Sequence, residues 1–106
     1  MLKRDLLELC LLQLLTAEDR YGYDLLRRLS AVFPDTQEST IYAILRGLCK
    51  EGCTETYQGE TSGGPTRKYY RLTKKGKKLL DSKREEWELF RQGVDGVLSG
   101  GASALA

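Results

Sequence analysis

Between residues 61 and 80 the chain carries seven basic side chains, Arg67, Lys68, Arg71, Lys74, Lys75, Lys77 and Lys78, and no carboxylate. The first 50 residues, by contrast, balance seven basic groups against seven acidic ones. The net charge of the whole chain is only +2, so this local excess is the main electrostatic signal. An acid-free cluster of this kind suits a polyanion such as a phosphate backbone, whose condensed counterions are released on contact. Imidazole and thiol chemistry have little to work with. There is no histidine, and Cys10, Cys49 and Cys53 are odd in number and lack the Cys-x-x-Cys spacing of a metal or redox site. Reduced thiols packed as small hydrophobes are expected, with a redox pair of Cys49 and Cys53 as the alternative. No catalytic residue, metal site or cofactor is assigned, and an enzyme is not expected.

The elements that must present this charge follow from hydrophobic periodicity. A first helix is predicted over residues 3–16. Its run of leucines leaves almost no polar face, so it must be covered on several sides. Leu7 and Leu11 are assigned there to an interface with a second subunit. The apolar run is too short to cross a bilayer, carries Glu8 and Gln13, and precedes no small-residue cleavage site. A cytoplasmic protein without membrane contact is expected. After a polar link at residues 17–20, Tyr21 to Phe33 reads as a second helix stopped by Pro34. Ser39 or Thr40 is the expected cap of a third helix, with Ile41, Ile44, Leu45 and Leu48 facing inward. Gly52 closes it, and Lys50 opposes its dipole. Thr40, Tyr42, Ala43, Arg46 and Gly47 then face outward, with Tyr42 and Arg46 one turn apart.

Cys53 to Gln58 and Arg67 to Leu72 read as strands, joined by the turn-forming GETSGGPT. Neighbouring strand residues point to opposite faces, so one of Arg67 and Lys68, and one of Tyr69 and Tyr70, is expected on each side. Thr73 is placed to cap a last helix over residues 74–98. On it Leu80, Trp87 and Val94 recur at seven-residue spacing, and Phe90 and Val97 form a second row, a pattern that packs against another helix. The expected fold class is α+β, mainly helical: a winged helix-turn-helix of three helices and a two-stranded β-wing, with a C-terminal dimerisation helix. The division is 1–73 for the winged helix, 74–98 for the dimerisation helix and 99–106 for a flexible tail.

Several stretches, in this order, resemble the PadR family of bacterial transcriptional regulators over nearly the whole chain. They are Tyr21-Gly22-Tyr23-Asp24-Leu25, Ser39-Thr40-Ile41-Tyr42 with Leu45 and Leu48, Glu51-Gly52, and Gly63-Gly64-Pro65-Thr66-Arg67-Lys68-Tyr69-Tyr70-Arg71-Leu72-Thr73 running into Lys74-Lys75-Gly76. The single C-terminal helix is similar to that of the smaller branch of the family. The resemblance implies a homodimer joined by first and last helices, with two winged helices on adjacent turns of double-stranded DNA. It also implies a small planar hydrophobic effector, because Trp87 matches in position a tryptophan that sandwiches planar drugs in relatives. Ser39, Ala43 and Thr66 depart from the glycine, proline and arginine common in the family, so no operator sequence carries over.

The residues assigned to DNA are Tyr21, Ser39, Thr40, Tyr42, Arg46, Gly64, Arg67 and Lys68. Tyr42 and Arg46 read bases from the third helix, and arginine pairs well with guanine in the major groove. The slim loop Ser62-Gly63-Gly64-Pro65 is expected to enter a minor groove or lie along a phosphate ridge, and the basic strand to contact the backbone. Leu7, Leu11, Glu86, Trp87, Phe90 and Val94 are assigned to the dimer interface or effector site, with Glu86 or Glu88 attracting any cationic ligand. The reading is a homodimeric repressor of a palindromic operator, relieved by a small apolar or aromatic ligand. The competing reading is a winged-helix protein-interaction module without sequence-specific DNA binding.

Overall fold

Lys3–Ala17 forms the first helix, α1, in the computed structural model, which describes residues 1–60 and 63–100. Thr61 and Ser62 of the expected wing loop, and residues 101–106 of the expected tail, lie outside the described residues. After α1 come β1 (Arg20–Tyr21), α2 (Gly22–Val32), α3 (Glu38–Lys50), β2 (Thr54–Glu60), β3 (Thr66–Leu72) and α4 (Lys74–Leu98). The mainly helical winged helix-turn-helix holds, with one addition. The sheet has three antiparallel strands in the order β1-β3-β2, because Arg20, read as the end of a polar link, and Tyr21, read as the start of the second helix, pair with the wing. Arg20 lies opposite Tyr70 and Tyr21 opposite Tyr69. A two-residue strand has no periodicity to betray it.

The core is a leucine and isoleucine cluster in which α1, α2 and α3 each bury one stripe. It contains Leu7, Leu11, Leu12 and Leu15, then Leu25, Leu26 and Leu29, then Ile41, Ile44, Leu45 and Leu48, closed by Tyr70 and Leu80. Each such side chain contributes about 1.5–3 kcal/mol on burial. Leu7 and Leu11 are thereby corrected: at 2% and 0% exposure they fill this chain's own core and have no surface to offer a second subunit. In a helix apolar nearly all round, composition does not say which stripe turns inward; the packing of α2 and α3 decides it.

The α3 cap also differs from expectation. Gln37 is the N-cap, without a side-chain bond, and Ser39 and Thr40 sit inside the first turn with exposed side chains. The other end is as expected. Gly52 takes a φ of +80° and its N–H donates to the Cys49 carbonyl at 3.0 Å, while the Cys53 N–H donates to the Leu48 carbonyl at 2.9 Å. This Schellman closure satisfies two carbonyls at the helix end.

Thr73 caps α4, its hydroxyl oxygen accepting from the Gly76 N–H at 3.0 Å and donating to the Gly52 carbonyl at 2.6 Å. Gly76 has a steric reason to be glycine, since a Cβ there would overlap the Cys53 backbone carbonyl. Further along α4, Lys83 is only 7% exposed and forms ion pairs with Asp5 (3.0 Å) and Glu8 (3.1 Å) of α1. Burial opposes its charge, but those two carboxylates prevail and raise its pKa. Beyond Lys83 the burial of α4 falls away: Leu89, Phe90, Val94, Val97 and Leu98 are exposed. Among the described residues, no helix is long and apolar enough to cross a membrane. Gly76→Ala should destabilise the fold by at least about 2 kcal/mol in urea unfolding, because the atom it meets belongs to a fixed backbone.

Candidate nucleic-acid interface

β1 does more than widen the sheet. By pairing with β3 it holds the first turn of α2 against the base of the wing, and α3 packs beneath both. The three elements enclose an open cleft of about 760 Å³, lined by Tyr21, Gly22, Tyr23, Tyr42, Arg46, Arg67, Lys68 and Tyr70. Three of these are cations and none is a carboxylate. The Tyr42 ring leans on Gly22, where a Cβ would stand 3.2 Å from Tyr42 Cε1. The small residue in Tyr-Gly-Tyr thus lets the tyrosine of α3 tuck under the start of α2. Tyr70 closes the floor, and burial pushes its hydroxyl pKa up.

Arg67 and Lys68 leave the strand on opposite faces, yet both heads line the cleft. Their reach explains this: the Arg67 guanidinium lies 4.4 Å from the Tyr21 ring centre, and the Lys68 ammonium 5.7 Å from that of Tyr70. The rest of the basic run is partly spent. Arg71 pairs with Asp19 and Glu55, each at 3.4 Å, Lys77 pairs with Asp81 at 3.0 Å, and Lys75 donates to the Glu51 carbonyl at 2.6 Å. The acid-free stretch in sequence is therefore smaller in space, because the link after α1 (Asp19), β2 (Glu55) and α4 (Asp81) supply carboxylates.

A model of the transcriptional regulator PadR-like family matches residues 11–82, which spans both the helix-turn-helix and the wing. The chain belongs to the PadR-like family of transcriptional regulators. A Streptococcus mutans protein of known crystal structure is 36% identical with a TM-score of 0.84, covering 92% of this chain and 91% of that one. A PadR-like transcriptional regulator from Bacillus cereus is 34% identical with a TM-score of 0.81, covering 88% of this chain and 91% of that one. An uncharacterised Lysinibacillus sphaericus protein is 34% identical over 97 residues, 89% of each chain. As a member of this family, the protein is a DNA-binding transcriptional regulator and not an enzyme.

Within this PadR-like regulator the assigned residues divide into three groups. Tyr21, Tyr42, Arg46, Arg67 and Lys68 meet in the cleft. Ser39 and Gly64 are exposed apart from it, Gly64 beside Gly63 with its φ of +73° at the wing turn. Thr40 lines a separate groove with Gln37 on another flank of α3. The α4 residues are elsewhere. Trp87 is half-buried over a groove of about 420 Å³ formed with Leu9, Cys10, Gln13, Leu14, Arg84 and Glu88. The Phe90 ring lies 6.3 Å away. Glu86 is exposed outside the groove's lining, whereas Glu88 lines it and is held by Arg91 at 2.8 Å. Burial raises the Cys10 thiol pKa, so this groove presents a thiol and not a thiolate.

Sequence reasoning did not assign Gly22 or Tyr70 to the cleft, nor Arg20 to its support. Arg20 donates from Nε to the Leu14 carbonyl at 2.9 Å and from Nη1 to Asp24 at 3.1 Å, tying the end of α1 to the start of α2. Burial opposes the Asp24 charge, but hydrogen bonds from Arg28 and Arg20 outweigh it and hold its pKa below the ordinary 3.8. A depressed carboxylate stabilises the fold above its unfolded-state pKa, and that contribution is lost as pH falls through the folded value. Asp24→Asn should therefore lower stability at pH 7 and flatten its decline as pH falls below the ordinary carboxylate value of 3.8, as followed by denaturant unfolding at stepped pH. Gly22→Ala should fold with stability changed by no more than about 1 kcal/mol while weakening DNA binding, because the half-buried Tyr42 ring has to give by only a few tenths of an ångström.

Proposed function

We propose that this regulator is a homodimeric repressor that binds a palindromic operator through its two clefts and is released by a small planar, apolar ligand. The observation that carries the reading is the cleft itself: three cations and no carboxylate, set beside the outward face of α3. In this reading α3 enters the major groove, where Arg46 and Tyr42 meet base edges, and Arg67 and Lys68 hold the flanking phosphates. Ser39, Thr40 and Gly64 add contacts at the helix start and the wing turn. Residues 1–73 act as the reading unit, and 74–98 as a dimerisation arm of the single-helix type found in the smaller branch of the family.

The exposed row of Phe90, Val94 and Val97 supports a second copy packing along α4, at which point Trp87 and its groove would face the dimer seam. A flat ligand stacking on Trp87 there would change the angle between the two wings, with an affinity difference between the two states as the source of release. The protein works in the cytoplasm, where its DNA is.

The test is a mobility-shift titration with the duplex immediately upstream of its own gene. Binding should weaken steeply as salt rises. Arg46→Ala with Tyr42→Ala should abolish the preference for that duplex over a scrambled one, at about 1–3 kcal/mol for the arginine, while size-exclusion chromatography still reports a dimer. Binding with no salt dependence and no preference overturns the reading. Quenching of the single tryptophan by planar dyes, with loss of the shifted band, checks the ligand step.

A further inference from the structure

The outer face of the sheet carries a ladder of aromatic rings that ends at the cleft. Tyr57 stacks on Tyr69 with ring centres 5.6 Å apart, and Tyr69 meets Tyr21 edge-on at 5.7 Å. The far end of the ladder is tethered, because the Tyr57 hydroxyl donates to Asp19 at 2.7 Å and the Arg71 guanidinium lies 4.7 Å from the Tyr57 ring centre. At the near end the Arg67 guanidinium lies on Tyr21. The two arginines have different fates. Arg71 is neutralised by Asp19 and Glu55, whereas Arg67 makes no ion pair among the described residues.

We infer that Tyr21 is a positioning residue whose ring holds Arg67 at the rim of the cleft in the posture that meets a DNA phosphate. The inference rests on the DNA-binding reading above and gives Tyr21 a different job from direct contact. A guanidinium is planar and stacks well on an aromatic face, leaving its N–H edge free to donate outward. An arginine on a free-standing wing would lose side-chain entropy on binding, and one already laid on a ring has lost it in advance. The ring is itself fixed: Tyr21 pairs with Tyr69 in the sheet and its residue is the N-cap of α2. The wing cation is therefore referenced to the reading unit through the tyrosine, and not only through the hairpin. Lys68, 5.7 Å from the Tyr70 ring centre and with a compact ammonium, is held less closely.

The experiment measures affinity for the duplex upstream of the gene across a salt series, for the unaltered chain and for variants at both positions. Tyr21→Leu should lose as much affinity as Arg67→Ala and lower the salt slope by roughly one per bound chain, a change that a merely structural defect would not produce. Tyr21→Phe, which keeps the ring, should behave as the unaltered chain. The double variant Tyr21→Leu/Arg67→Ala should bind no worse than Arg67→Ala alone. Arg67→Lys, which needs no change in the sheet, should also lose affinity because it keeps charge but not the planar face. Additive losses, a Tyr21→Phe defect equal to that of Tyr21→Leu, or full affinity in Arg67→Lys would overturn the inference while leaving the DNA reading intact. Failure of the unaltered chain to bind DNA at all would overturn both.

Discussion

Two residues of extended chain set the geometry on which everything else depends. Arg20 and Tyr21 pair with Tyr70 and Tyr69, so the wing is not a free hairpin hung from the end of α3 but the middle of a sheet whose far edge starts α2. A lone two-stranded hairpin is marginal in water, and a third strand adds both ladder hydrogen bonds and a second line of cross-strand side chains. The cleft between wing and α3 has a defined width for this reason. Gly22 follows at once and admits Tyr42, so the same short segment sets the wing, the start of α2 and the main outward tyrosine of α3.

The opposite end of the chain is governed by a different constraint. α4 is about 37 Å long by the rise of a helix, but this chain covers it only as far as Trp87. The join is tight: Thr73 and Gly76 press the start of the helix onto the Cys53 carbonyl, and Lys83 is shared between Asp5 and Glu8 of α1. An ion pair this buried adds little net stability over a well-packed apolar alternative, but it is costly to break and so favours one register of α4 on α1. The direction in which the arm leaves the domain follows from that register.

Most elements were legible in the residues. The three- and four-residue spacing of Ile41, Ile44, Leu45 and Leu48 identified α3 and its buried stripe, and Gly52 and Thr73 marked boundaries by turn and cap chemistry that is local in sequence. The inward stripe of α1 was not legible, since a helix with leucine on every side carries no moment to read, and Leu7 and Leu11 went to the core instead of the surface. The basic run was read as a single footprint, but charge along a chain does not record which carboxylates fold back onto it. Arg71 lost its freedom to Asp19, 52 positions away.

The sequence by itself determined the helix-turn-helix and wing, their order, and the residue types that face outward from α3, because periodicity, caps and turns act over a few residues. Tertiary structure alone decided which cations remain unpaired, which tyrosines line the cleft and which support it, and where the wing stands. Those outcomes depend on contacts between segments far apart in the chain, such as β1 with β3 and α1 with α4, whose partners no local pattern specifies.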